Sequence, residues 1–74
     1  MEVNVKLFGD LREGRFVQNM TQIQDDSRVI DLINEHDLPL EHVGLCFVNC
    51  REAEFGQTLQ NGDVVAFSPP VGGM

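Results

Sequence analysis

Basic residues are scarce in this 74-residue chain, and none follows Arg51. Five Lys and Arg stand against twelve Asp and Glu, a net charge of −7. Binding a nucleic-acid backbone needs clustered cations that displace its counterions, so no nucleic-acid partner is expected. An acidic domain is either steered toward a basic protein surface or simply kept soluble. Cysteine is sparse too. Cys46 and Cys50 are too few for a disulfide framework or a structural zinc site, and C-x3-C misses the redox C-x-x-C spacing. On one extended strand their Cα atoms would stand ~13 Å apart, beyond disulfide reach, so free thiols are expected. The two histidines, His36 and His42, have no metal-ligand spacing with the scattered carboxylates, and no metal site is expected.

Long apolar runs are also missing. No stretch approaches the length that spans a bilayer. The opening "MEVNVKLF" lacks the cationic region and apolar segment of a signal peptide. The expectation is a soluble, cytoplasmic protein with no membrane association. A domain of this length buries only about 60% of its unfolded surface, which leaves little room for an enclosed active site. A binding or carrier role is favoured over an enzyme, and no catalytic residue is assigned.

What is present is strong local patterning. In "EVNVKLFG", Val3, Val5 and Leu7 alternate with Glu2, Asn4 and Lys6, the period of a half-buried strand. "GDLREGR" reads as a connection and "RFVQNMTQIQ" as a second, antiparallel strand. The period then changes. Val29, Ile30, Leu32 and Ile33 form a helical stripe over about residues 28–37. Asp25, Asp26 and Ser27 are placed to cap it, and Pro39 stops it. "VGLCFVNCREAEF" returns to strand character with a turn near Asn49 and Cys50. Asn61-Gly62-Asp63 is a turn signal before a last strand, Val64 to Phe67. The order is β-β-α-β-(β)-β with one helix.

One helix covers only one face of a sheet. Leu45 to Val48 and Val64 to Phe67 are apolar at both parities, so one parity of each is left for the other face. That predicts an apolar patch for a partner to cover.

Residues 1–68 read as one domain and 69–74 as an extended tail. Pro69 and Pro70 cannot donate ladder hydrogen bonds and hold the exit stiff. Val71, Gly72 and Gly73 then give a slim segment able to thread a narrow channel. A carboxylate on Gly73 could attack a nucleoside triphosphate and become a reactive acyl-adenylate. Nothing in such a step needs a catalytic residue on the domain itself.

Together "VKLFGDLRE", "VIDLI", "FVN" and "LQNGDVVAFSPPVGG" resemble the ubiquitin-like sulfur carriers of the MoaD/ThiS family. Those are the small subunit of molybdopterin synthase and its thiamine-pathway relative. The resemblance spans nearly the whole chain, and "NGD…PPVGG" is nearer the molybdopterin branch. It implies an α+β, β-grasp fold with a mixed four- to five-stranded sheet packed on one helix. It also implies a function: an adenylyltransferase of the ubiquitin-activating type uses ATP to adenylate Gly73, and a sulfurtransferase makes the thiocarboxylate. The loaded tail then enters a larger synthase subunit and donates sulfur. No cofactor is bound by the domain. Val71, Gly72 and Pro70 would thread the tail, and the parity argument nominates Val65, Phe67 and Phe47 for the partner-facing patch.

Two features depart from the pattern. "VNC" replaces the usual Asn-Gly, which leaves the turn type open. Met74 follows Gly73, so either a peptidase removes it, or it blocks activation and the chain is an adaptor, or it was added to the natural chain. Alternatives are a carrier for thiamine, cysteine or another sulfur metabolite, and a ubiquitin-like modifier.

Overall fold

The computed structural model describes residues 1–70. Its elements are β1 (Glu2–Leu7), β2 (Gln18–Gln22), α1 (Val29–Glu35), β3 (Leu45–Val48), β4 (Arg51–Ala53) and β5 (Val64–Ser68), with 3₁₀ turns at Gly9–Arg12 and Leu40–His42. They form one sheet of order β2-β1-β5-β3-β4. β1 pairs antiparallel with β2 and parallel with β5, while β3 pairs antiparallel with both β5 and β4. The last strand is therefore central. This mixed five-stranded sheet with one helix is the α+β, β-grasp fold.

The alternation of β1 does what its period predicts: Val3, Val5 and Leu7 are fully buried. They meet Val29, Leu32 and Ile33 of α1, and the same cluster takes in Cys46 and Val48 of β3 and Val65 and Phe67 of β5. Leu11, Leu38, Val43 and Leu59 close its ends.

The helix is capped differently from expectation. Ser27 Oγ turns away and donates to the Gln24 carbonyl at 2.7 Å. The N-cap is Arg28, whose side chain has no acceptor to offer, and Asp31 supplies the reciprocal half by accepting Arg28 N–H at 2.7 Å. The N–H groups of Val29 and Ile30 find the carbonyls of Gln57 and Phe55 at 3.0 and 2.8 Å. The loop after β4 thus takes the place of a side-chain cap, satisfying donors that would otherwise be orphaned. At the other end Asp37 has φ +52°, and Leu38 N–H reaches back to Ile33 O at 3.0 Å while Asp37 N–H reaches Asn34 O at 3.2 Å. This double bond pattern is a Schellman stop, and it ends the helix before Pro39 is reached.

The turn between β3 and β4 is resolved. Asn49 and Cys50 both have positive φ, +53° and +70°, the pattern of a type I′ hairpin turn. Asn tolerates that geometry and here bonds Val64 N–H and the Asp63 carboxylate at 3.0 and 2.9 Å. Cys50 has no such compensation and carries the Cβ penalty of the left-handed region. Cys50→Gly is expected to stabilise the fold by about 1 kcal/mol, the relief of strain outweighing the added freedom of the unfolded chain. A urea titration would show this as a higher midpoint at unchanged slope. A lower midpoint would mean that the Cys50 side chain makes a stabilising contact.

Candidate functional site

Two surfaces come together at the central strand. The first is the face of the sheet opposite α1. Register places Asn4 beside Val64, Lys6 beside Ala66, and Phe47 beside Ala66. Along with Phe8 and Cys50, the side chains of Lys6, Phe47, Val64 and Ala66 line a concavity of about 290 Å³. Phe8 is 43% exposed, a large apolar ring held at the surface. The Arg12 guanidinium lies 5.3 Å from its centroid, and Arg12 Nε donates to the Leu7 carbonyl at 2.6 Å. Asn4 Oδ1 on this face is shielded from solvent and has no hydrogen-bond partner among the described residues.

The expected patch is thus present but its membership changes. Phe47 is on it. Val65 and Phe67, nominated with it, are fully buried against the helix instead. The register explains the correction: Val65 pairs with Val5 and Phe67 with Leu7. Neighbours directly across a ladder share a face, so these two go inward and Val64 and Ala66 go outward. Phe8, Lys6, Val64 and Ala66 were missed by the sequence reading. The charged and polar parity of β1 was the signal, since its in-register neighbours must share the open face.

The second surface is the exit of β5. Ser68 closes the ladder by accepting Gly44 N–H at 2.8 Å. Pro69 and Pro70 follow, half-buried and exposed. Because β5 lies between β1 and β3, the chain leaves the sheet at its centre. Val71, Gly72, Gly73 and Met74, the residues assigned to threading, activation and processing, lie outside the described residues.

Cys46, His36 and Arg15 make hydrogen bonds within the fold. Cys46 is buried in β3 and Cys50 exposed in the turn, both as free thiols. Burial pushes the Cys46 thiol up, and its Sγ donates to the Ala53 carbonyl at 3.0 Å. Burial lowers the pKa of His36 below the ordinary value, against the opposing influence of Glu35 and Asp37. Its Nε2 lies 3.0 Å from Thr21 Oγ, whose hydroxyl donates to Asn19 Oδ1 at 3.1 Å, and its ring meets the Phe16 ring edge-on at 4.9 Å. A hydroxyl has one proton to give, so Thr21 accepts from His36 Nε2–H. Arg15 donates to main-chain carbonyls of Leu11, Glu13 and Asp37. Among the described residues no three His, Cys, Asp or Glu side chains are placed to hold a metal ion, and no helix is long and apolar enough to cross a membrane.

The geometry matches known proteins. The model of the ThiS family matches residues 5–73. A Pyrococcus furiosus protein described as molybdopterin converting factor subunit 1 superposes with TM-score 0.79 at 30% identity, over 96% of this chain and 99% of that one. Small archaeal modifier protein 1 of Haloferax volcanii superposes with TM-score 0.74 at 27% identity, over 95% and 98%. A chain of the complex of subunits 1 and 2 of molybdopterin-converting factor from Helicobacter pylori shares the fold, with TM-score 0.68 and 23% identity over the whole of both chains. A comparison with curated proteins found no match. With the central last strand and the diglycine both inside the matched stretch, the chain belongs to the ThiS family.

Proposed function

We propose that this protein is a sulfur carrier whose Gly73 carboxylate is adenylated and converted to a thiocarboxylate, serving molybdopterin biosynthesis once Met74 is removed. The observation that carries this reading is positional. The diglycine follows the central strand β5 by only a few residues, and the family match runs through it to residue 73. The chemistry is simple to balance. A Gly73 carboxylate oxygen attacks the α-phosphorus of ATP, forming an acyl–phosphate bond and releasing pyrophosphate. Hydrosulfide, or a persulfide followed by a thiol reductant, then adds its sulfur to the acyl carbon, and AMP leaves. ATP belongs to the activating partner, an adenylyltransferase of the ubiquitin-activating type, and the domain supplies only the tail and a docking face.

That face would be the row Phe47, Ala66, Val64 and Phe8. Membership of the Pyrococcus furiosus relative in a converting factor as its subunit 1 supports a second, larger subunit as the acceptor. A peptidase would free Gly73, and the reaction would run in the cytoplasm, where ATP is supplied. The domain itself contributes no catalytic residue.

A second reading is favoured by one observation, the likeness to a small archaeal modifier protein. A modifier would use the same adenylate but pass Gly73 to a lysine amine. The two are separated by incubating the chain ended at Gly73 with ATP, the adenylyltransferase of the same genome and a sulfur donor. The carrier reading expects pyrophosphate exchange followed by a thiocarboxylate. Isopeptide-linked conjugates without a thiocarboxylate would replace it with the modifier reading, and absence of exchange would overturn both.

A further inference from the structure

We infer that Gly9 and Gly44 form a two-sided slot that seats Pro69 and Pro70 and sets the direction in which the reactive end leaves the sheet. The inference rests on the carrier reading for its functional consequence, but its geometry stands alone. β5 is flanked by β1 and β3. Gly9 lies just past the end of β1, and Gly44 just before the start of β3. The two glycines therefore flank the same point on the central strand, the step from Ser68 into the prolines. Ser68 O accepts Gly44 N–H at 2.8 Å, and Phe67 O accepts Phe8 N–H at 3.0 Å, which pins both walls to the exit.

What the glycines leave out defines the slot. A Cβ on Gly9 would meet Pro69 Cγ at 2.8 Å and Cδ at 3.2 Å. A Cβ on Gly44 would run into the backbone of Pro70, with its Cα inside contact and its N at 2.5 Å, and would meet the Pro69 carbonyl carbon at 2.9 Å. Real Cβ atoms do not approach backbone so closely, and a proline backbone cannot swing aside as a flexible side chain can. Gly9 also has φ +60°, so its glycine has a second, local cause. Gly44 has no positive φ, so the left-handed region does not call for glycine there, and the collision with Pro69 and Pro70 is what its Cβ would meet. Gly44 is thus a positioning residue that acts through Pro70 on Gly73, and a displaced tail would miss the narrow channel of the activating partner. Misplacement of a reacting group by about 1 Å can cost on the order of a hundredfold in rate.

The test uses the chain ended at Gly73, ATP, radiolabelled pyrophosphate and the adenylyltransferase of the same genome. Gly44→Ala is expected to lower kcat for pyrophosphate exchange by roughly tenfold or more, while KM for the protein stays within about twofold, because docking runs through the open face and not the slot. Gly56→Ala, where a Cβ meets nothing within 4 Å and φ is not positive, should leave both unchanged. Pro70→Gly loosens the seat with no collision and should reproduce the kcat loss in a protein that folds normally. Nuclear Overhauser effects from Gly44 Hα to Pro70 Hα and from Gly9 Hα to the Pro69 ring should be present in the unsubstituted protein. Their absence overturns the slot, whatever the enzyme assay gives. Unchanged kcat in both Gly44→Ala and Pro70→Gly, or a rise in KM alone, overturns the positioning role. No exchange by the unsubstituted chain would instead overturn the carrier reading, leaving the Overhauser effects to decide the slot.

Discussion

Phe67→Ala is expected to destabilise the domain by about 3–5 kcal/mol, enough to leave much of the protein unfolded. Phe67 is fully buried on the central strand and is among the largest side chains of the core. Its loss removes transfer free energy and leaves a cavity that neighbouring strands, held in register with Leu7 and Cys46, cannot easily fill. Small domains lie toward the low end of the usual stability of roughly 5–15 kcal/mol, so there is little reserve. A urea titration of the variant should show a much lower midpoint or no folded baseline. If Phe67 served instead on the partner-facing surface, the midpoint would hardly move and only partner binding would fall.

Phe47→Asp should behave in the opposite way. Phe47 is half-buried on the sheet face away from α1, and its neighbour across the ladder is Ala66. The substitution removes an aromatic anchor from the concavity and places a charge where a partner's apolar surface would dry the site. A centrally placed aromatic anchor of this kind is worth about 2 kcal/mol or more, so the concentration of protein needed to saturate the adenylyltransferase should rise by roughly thirtyfold. Stability should fall by about 1 kcal/mol at most, the span of strand propensities on a face not yet covered. A saturating concentration unchanged by Phe47→Asp would remove the open face from the docking surface. Together the two variants separate the faces of one strand pair: one change is read in folding, the other in binding.

That Phe67 faces the helix and not the open side follows from register, which periodicity alone does not supply. β1 alternates apolar and polar, so its phase is written into the chain. β5 reads Val-Val-Ala-Phe, and a run apolar at every position has no phase of its own. Its inward parity is set by pairing with β1, which is information about register and not about composition. The helix itself was legible from its stripe, but its cap was not: the carbonyls of Phe55 and Gln57 come from a loop more than twenty residues away in sequence. The Asn49-Cys50 turn was located by its position between strands, while its positive φ values had to come from the tight geometry of the hairpin. Gly44 escaped notice for a similar reason. Nothing beside it in sequence marks it as special, and only the approach of Pro69 and Pro70 from the far end of the chain gives it a role. The role proposed for the tail rests on residue types alone, stiff prolines followed by two glycines, and residues 71–74 lie outside the described residues.

The most direct test is the intact mass of the protein isolated from its own cells, with fragmentation of its last residues. The expected product is a chain shortened by one methionine, carrying a single exchange of oxygen for sulfur at the Gly73 carboxyl. A chain that keeps Met74, and gains no sulfur when the adenylyltransferase and ATP are present in excess, would contradict it.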